Sequence, residues 1–120
     1  MAKALALLKN SYFPDYPQSQ RYRNIQRAFE RFYDRPRWEI EPNGTNTGWN
    51  VIFNGIARLG GQNARFTWIF SIDAQEVREG QIKGFFDFGP IFWGGSPLLV
   101  NGNPASVQDI NTALAAIFLN

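Results

Sequence analysis

The sequence predicts an α+β fold: an antiparallel sheet of four or five strands in a meander, with N-terminal helices and a C-terminal helix packed chiefly on one face. Apolar residues recur at helical spacing near both ends of the chain and alternate with polar residues in the middle. Short Asn- and Gly-rich turns between the alternating segments favour antiparallel pairing of consecutive strands. The length of 120 residues fits one domain, residues 1–120.

The first part of the chain favours two helices. A short helix covers residues 4–8, and the proline-containing residues 10–19 form a loop. The second helix begins after Ser19 or Asn24, because both are good N-cap residues, and ends by Asp34 or Arg35, because Pro36 disfavours helical geometry before it. Its predicted core stripe is Tyr22, Ile25, Phe29, Phe32 and Tyr33.

Four strands are predicted in the middle of the chain. The first begins after Pro36, the second follows a hairpin loop at residues 43–48, and the third follows a turn at residues 60–63. Residues 74–80 then lead to a fourth strand at residues 81–89. The side chains expected on the core face are Trp38, Ile40, Trp49, Val51, Phe53, Phe66, Trp68, Phe70, Ile72, Ile82, Phe86 and Phe88.

The end of the chain favours one helix. Residues 90–104 contain too much Gly and Pro for an assignment. Ser106 and Asp109 have the spacing of a capping box, which marks a helix start. The apolar stripe of this helix is Val107, Ile110, Leu114 and Ile117.

The composition argues against an enzyme and against any cofactor. The chain has no Cys and no His, which excludes disulfides, thiol chemistry and the usual nucleophile–histidine arrangements. Carboxylate chemistry remains as an alternative, because Glu39 and Glu41 share a strand face roughly 7 Å apart, a spacing that a small hydrolase could use. Alternating outward charges are, however, what any half-solvated strand displays.

A nucleic-acid-binding domain is the first alternative, ahead of the small hydrolase. Arg23, Arg27 and Arg31 recur every four residues beside the core stripe, with Arg35 following, and cations next to aromatic rings suit phosphates and bases. Two observations favour a solvated helix face instead. The neighbouring aromatic residues occupy the core stripe, and Glu30 and Asp34 can pair with the arginines across one helical turn.

The aromatic segment FFDFGPIFWGGSPLLV is the most unusual part of the sequence. Phe92 and Trp93 stand beside flexible glycines, and Pro90 and Pro97 cannot donate hydrogen bonds to a sheet, so the segment is expected at an edge. There it either covers the core or forms a docking edge for a protein partner or a second copy of the chain.

The sequence contains no predicted membrane-spanning helix. The apolar run at residues 4–8 is far shorter than the ~20 residues that a bilayer requires. The first twelve residues also lack the long apolar region and cleavage site of a signal peptide. We therefore expect either a cytoplasmic protein or a trimmed mature fragment.

Three sequence motifs form a recognisable pattern: LKNSYFPDYP, NIQRAFERFYDRPRW and VIFNG. They resemble the opening, the Ala-Phe helix with a Pro-basic-Trp junction, and the strand of a family of small bacterial domains found in envelope-associated or lipoprotein-like proteins. Ser11 stands where the family has Gly, residues 18–23 resemble an insertion, and residues 85–97 do not follow the pattern. The matching positions are Lys9, Asn10, Tyr12, Tyr16, Pro17, Ile25, Ala28, Phe29, Phe32, Pro36, Arg37 and Trp38.

The resemblance implies a shared fold, and the family has no established activity. Together with the composition, it leads us to expect a noncatalytic protein-binding or assembly module, envelope-associated or otherwise extracytoplasmic. The expected partner is a protein or a second copy of the chain rather than nucleic acid. The expected binding residues are Phe92, Trp93, Arg23, Arg27 and Arg31.

Overall fold

The computed structural model describes residues 2–12, 24–43, 47–82 and 96–119. The helices in this part of the chain are α1 (Ala2–Asn10), α2 (Ile25–Phe32), α3 (Ala74–Glu79) and α4 (Val107–Leu119). The strands are β1 (Asp34–Pro42), β2 (Gly48–Leu59), β3 (Gln62–Asp73), β4 (Leu98–Val100) and β5 (Asn103–Pro104).

The strands form one antiparallel meander in the order β1-β2-β3-β4-β5. Cross-strand register places Trp38, Phe53, Trp68 and Leu98 in one row across the first four strands. Side chains in register lie on the same face of a sheet. The predicted α+β fold, with a five-stranded antiparallel sheet, N-terminal helices and a C-terminal helix, is therefore confirmed.

The main core lies between one face of the sheet and helices α1, α2 and α4. Each helix contributes a stripe of apolar side chains, as its spacing of three and four residues requires. The sheet contributes every second residue of its strands. The buried cluster consists of Ala4, Leu8, Ile25, Ala28, Phe29, Tyr33, Val51, Phe53, Ala64, Phe66, Trp68, Phe70, Ile72, Ile82, Leu98, Leu114, Ile117 and Phe118.

The junction between α2 and β1 differs from the prediction. Asn24 caps α2 by accepting a hydrogen bond from the Arg27 amide, which decides between the two predicted starts. The helix ends at Phe32, and β1 already begins at Asp34 rather than after Pro36. Between Asp34 and Arg37 the register with β2 shifts. This irregularity accommodates a proline near the start of an edge strand.

Two tight turns connect strands β2 to β3 and β4 to β5. Gly60 and Gly61 have φ angles of +60° and +82°, and Asn101 and Gly102 have φ angles of +52° and +84°. Positive φ at both central residues is what two-residue hairpin turns require. The predicted turn at residues 60–63 is confirmed, and the Asn101–Gly102 turn organises a region that the sequence left unassigned.

Residues 74–80 form helix α3 rather than a simple connection. Asp73 accepts a hydrogen bond from the Gln75 amide, while the Glu76 side chain accepts one from the Asp73 amide. These bonds satisfy amides at the helix start, and Gly80 ends the helix with a φ of +72°.

The predicted fourth strand at residues 81–89 lies largely outside the described residues. Its first two residues, Gln81 and Ile82, are not in a strand. In the described part of the chain, two further strands lie at residues 98–100 and 103–104. Strand β4 pairs with β3 from Phe66 to Trp68.

Two residues assigned to the core stripes are exposed. Val107 is 74% exposed in the first turn of α4. Phe32 is 36% exposed at the end of α2. The remaining described residues of the α2 stripe, Ile25, Phe29 and Tyr33, are buried as predicted.

The helices described here are too short or too polar to span a membrane. The longest of them, α4, has 13 residues, whereas a membrane-spanning helix needs about 20.

Candidate functional site

A groove of about 470 Å³ lies between α4 and the end of the sheet at the β2–β3 hairpin. We call it the α4 groove. Its volume falls within the roughly 300–1,000 Å³ of typical ligand pockets. Helix α4 forms one wall, and strands β2 to β5 with the end of α2 form the others. The lining residues are Phe32, Ala57, Arg58, Leu59, Phe66, Leu98, Val100, Asn103, Pro104, Ala105, Asp109, Thr112, Ala113 and Ala116.

The groove exists because α4 presents small side chains to this part of the sheet. Leu114, Ile117 and Phe118 of α4 are buried in the core. Ala113 and Ala116 lie three residues apart and therefore on one stripe of the helix, facing the groove. An alanine side chain ends at Cβ, so this stripe does not reach the sheet residues on the opposite wall.

The β2–β3 hairpin contributes part of the groove lining. It continues past Ile56, where pairing with β1 ends, and past Phe66, where pairing with β4 ends. Leu59 lies near the hairpin tip and is 54% exposed, and Phe32 of α2, which also lines the groove, is 36% exposed. These two side chains leave apolar surface of the groove lining in contact with water.

Two charged side chains line the groove. The Arg58 guanidinium donates a 2.6 Å hydrogen bond to the Gly61 carbonyl oxygen in the hairpin turn. Asp109 lies in the first turn of α4, and its backbone amide donates to Ser106 Oγ at 3.1 Å. This bond confirms Ser106 as the residue that caps α4. The groove thus combines an apolar lining with a cation and an anion.

The arginines of α2 lie apart from this groove. Arg27 and Arg31 are exposed on the outer side of the helix, and Arg23 lies outside the described residues. Phe29 and Tyr33, which base stacking would require at the surface, are 1% and 2% exposed. These two buried rings therefore cannot stack on nucleic-acid bases beside the arginines.

The expected pairing of Glu30 with an arginine is replaced by another contact. Glu30 Oε2 accepts a 2.9 Å hydrogen bond from Trp38 Nε1 and a 3.2 Å bond from Gln26 Nε2. The Lys9 ammonium lies 5.5 Å from the centroid of the Trp38 ring. Trp38 thus links α1, α2 and β1, because its ring attracts a cation while its indole N–H binds a carboxylate.

The contacts described for Glu39 and Glu41 are not those of a catalytic carboxylate pair. Glu39 makes a 2.8 Å ion pair with Arg37, and both side chains are well exposed. Glu41 is exposed near the end of β1. Neither residue lines the α4 groove. Their described surroundings are those of a solvated strand face.

A buried hydrogen bond joins two aromatic side chains of the core. Trp68 Nε1 donates to the Tyr33 hydroxyl oxygen at 2.8 Å. Burial raises the pKa of Tyr33 far above its ordinary value, and the Trp68 bond acts in the opposite direction. Tyr33 therefore stays neutral. An ideal Cβ on Gly55 would lie only 2.5 Å from Tyr33 Cβ, so this packing requires glycine at position 55.

Phe92 and Trp93 lie outside the described residues, so their predicted role at a docking edge stays a prediction. The sequence reasoning missed the α4 groove altogether. One signal was present: Ala113 and Ala116 place small residues at helical spacing in a helix that is otherwise rich in large apolar side chains. Recognising the groove also required β4 and β5, which form from the unassigned region.

Comparison with known proteins adds no assignment: no family model, curated protein or solved structure matches this chain. The resemblance to envelope-associated bacterial domains therefore stays a prediction from the sequence motifs.

Proposed function

We propose that this protein is a noncatalytic protein-binding module whose α4 groove receives an apolar side chain of a partner protein. The observation that carries the proposal is the groove itself, about 470 Å³ with mainly apolar walls. Large apolar side chains seated in such pockets provide much of the binding energy at protein interfaces. The charged residues at the groove suit recognition of a peptide rather than burial of a purely apolar molecule.

The chemistry of the lining supports a binding role over a catalytic one. Arg58 and Asp109 are its charged members, and Asn103 and Thr112 are its other polar members. The Thr112 hydroxyl donates to the Gln108 carbonyl oxygen at 2.9 Å within α4. A nucleophile next to a general base, which covalent catalysis requires, is not formed by these lining side chains.

We propose further that the module works in the bacterial envelope. The support is the resemblance carried by the segment around Tyr12 and the Pro36–Trp38 junction. Fractionation of the native cells, followed by detection with an antibody to this chain, tests the compartment. Recovery with the envelope supports the proposal, and recovery only in the soluble cytoplasmic fraction overturns it.

A defined peptide tests the groove. We expect acetyl-Gly-Gly-Trp-Gly-Gly-amide to shift the backbone amide resonances of Leu59, Val100, Ala113 and Ala116 in a saturable NMR titration. The same peptide with Ala in place of Trp should cause no saturable shift, because it lacks the anchor that fills the groove. Millimolar binding is sufficient, since a single anchor forms only part of an interface.

Two variants make the test specific. Ala113→Leu places a larger side chain in the groove and should abolish the titration. Asn111→Leu places the same side chain at an exposed position of α4 and should leave the titration unchanged. Absence of binding to the Trp peptide, or equal binding to the Ala113→Leu variant, would overturn the proposal.

A further inference from the structure

We infer that the segment recognised by the α4 groove carries a positively charged side chain within two residues of its apolar anchor, and that Asp109 binds this charge. The inference rests on the proposed function, and it specifies the chemistry of the partner. It is based on a difference between the two charged residues of the groove.

Arg58 already has a partner. Its guanidinium donates to the Gly61 carbonyl oxygen at 2.6 Å, which ties the side chain to the hairpin turn. Asp109 uses only its backbone amide, in the bond to Ser106 Oγ. Its carboxylate forms no hydrogen bond or ion pair with any described residue, although it lines the groove and is exposed. Of the two charged side chains at the groove, the one without a partner among the described residues is therefore an anion.

The position of Asp109 relates this anion to the proposed anchor. Asp109 and Ala113 are four residues apart on α4, so their Cβ atoms lie about 5–6 Å apart along one helix face. An extended peptide advances about 3.3 Å per residue. When an anchor contacts Ala113, a Lys or Arg one or two residues away is within reach of the Asp109 carboxylate.

Asp109 also has a structural effect that the test must separate. A carboxylate in the first turn of a helix interacts favourably with the helix dipole, whatever binds nearby. Loss of the charge can therefore lower stability without any effect on a ligand. A loss of stability does not change which of several differently charged peptides the protein prefers. This preference is therefore the quantity to measure.

Three peptides provide this readout: acetyl-Gly-Trp-Gly-Lys-Gly-amide and the versions with Gln or Glu in place of Lys. We expect the Lys peptide to bind about two- to fivefold more tightly than the Gln peptide at low salt, as solvent-exposed ion pairs allow. The Glu peptide should bind more weakly than the Gln peptide. The preference should be lost at about 0.5 M NaCl, where such pairs are screened.

Asp109→Asn should remove the preference for the Lys peptide over the Gln peptide, because it removes the charge that distinguishes them. Glu41→Gln removes an exposed carboxylate from β1, away from the groove lining, and should retain the preference. Equal affinities for the three peptides, with shifts still at the groove, would overturn this inference and leave the proposed function standing. A preference that persists in Asp109→Asn would also overturn it. If none of the peptides binds, the proposed function itself fails.

Discussion

Two regions of the helix-covered sheet face are packed differently. In one, the Phe29 ring of α2 lies with its centroid within 6.3 Å of the centroids of six other aromatic rings. In the other, Ala113 and Ala116 of α4 face a groove of about 470 Å³. The sheet contributes apolar side chains to both regions. The difference shows that the size of the helix side chains decides whether this face becomes core or groove.

This difference separates stability from binding. The region around Phe29 buries large aromatic side chains, and burial of apolar surface is the main favourable contribution to folding. The groove leaves Phe32 and Leu59 partly exposed, so apolar surface remains available for contact with another molecule. Substitutions in the two regions should therefore have different effects.

The largest effect is expected from Phe29→Ala. This substitution removes the ring that contacts the other aromatic side chains, and we expect a loss of about 3–5 kcal/mol in the free energy of unfolding. Chemical denaturation followed by circular dichroism measures it. A loss below about 1 kcal/mol would mean that the region around Phe29 is not the tightly packed part of the fold.

A matched pair of substitutions compares the two regions directly. Ala28→Leu in α2 enlarges a residue that is 1% exposed and should cost about 1–3 kcal/mol, as overpacking of a filled core does. Ala113→Leu enlarges a residue that faces the groove, and its effect should lie within about 1 kcal/mol of zero because the added methyl groups enter open space. Thermal and chemical denaturation of both variants give the comparison. Equal costs would show that the two regions are packed alike.

A smaller effect is expected at the margin of the packed region. Trp38→Phe keeps an aromatic ring but removes the indole N–H that donates to Glu30. We expect a loss of about 1 kcal/mol, since this bond is solvent-exposed although its acceptor is charged. A double-mutant cycle with Glu30→Ala measures the coupling.

Trp49→Phe is the control for this cycle, because Trp49 packs against the core without a described hydrogen bond from its indole. It should show no coupling to Glu30→Ala. Coupling near zero for Trp38 as well would mean that the contact with Glu30 contributes nothing to stability.

Local sequence patterns were sufficient for much of the fold. The alternation in residues 49–59 and 65–73 predicted the core face of β2 and β3, because the side-chain period of a strand is fixed by its geometry. It did not predict that side chains on the opposite face are buried as well, as Asn50 and Ile69 are. The Asn24 cap and the turn at Gly60 and Gly61 were also readable. The sequence also contains the Asp73–Glu76 capping box. Because α3 is only six residues long, the sequence pattern predicts a connection there rather than a helix.

The candidate site was much less predictable. The sequence predicts only that Leu59 ends a strand and that Ala113 and Ala116 belong to a helix. Their relation depends on the hairpin formed by β4 and β5, residues 98–104, in which β4 pairs with β3 from Phe66 to Trp68. No local sequence pattern predicts that this pairing brings α4 beside the β2–β3 hairpin.

The sequence by itself determined the fold class, the main buried faces and several of the turns, because periodicity, capping and positive φ angles are properties of neighbouring residues. The tertiary structure decided that Phe32 lines a groove instead of entering the core and that Glu30 binds Trp38 instead of an arginine. It also decided that Asp109 stands beside apolar space. These outcomes depend on how close separate elements approach each other, and that distance is set by the side chains of both partners together.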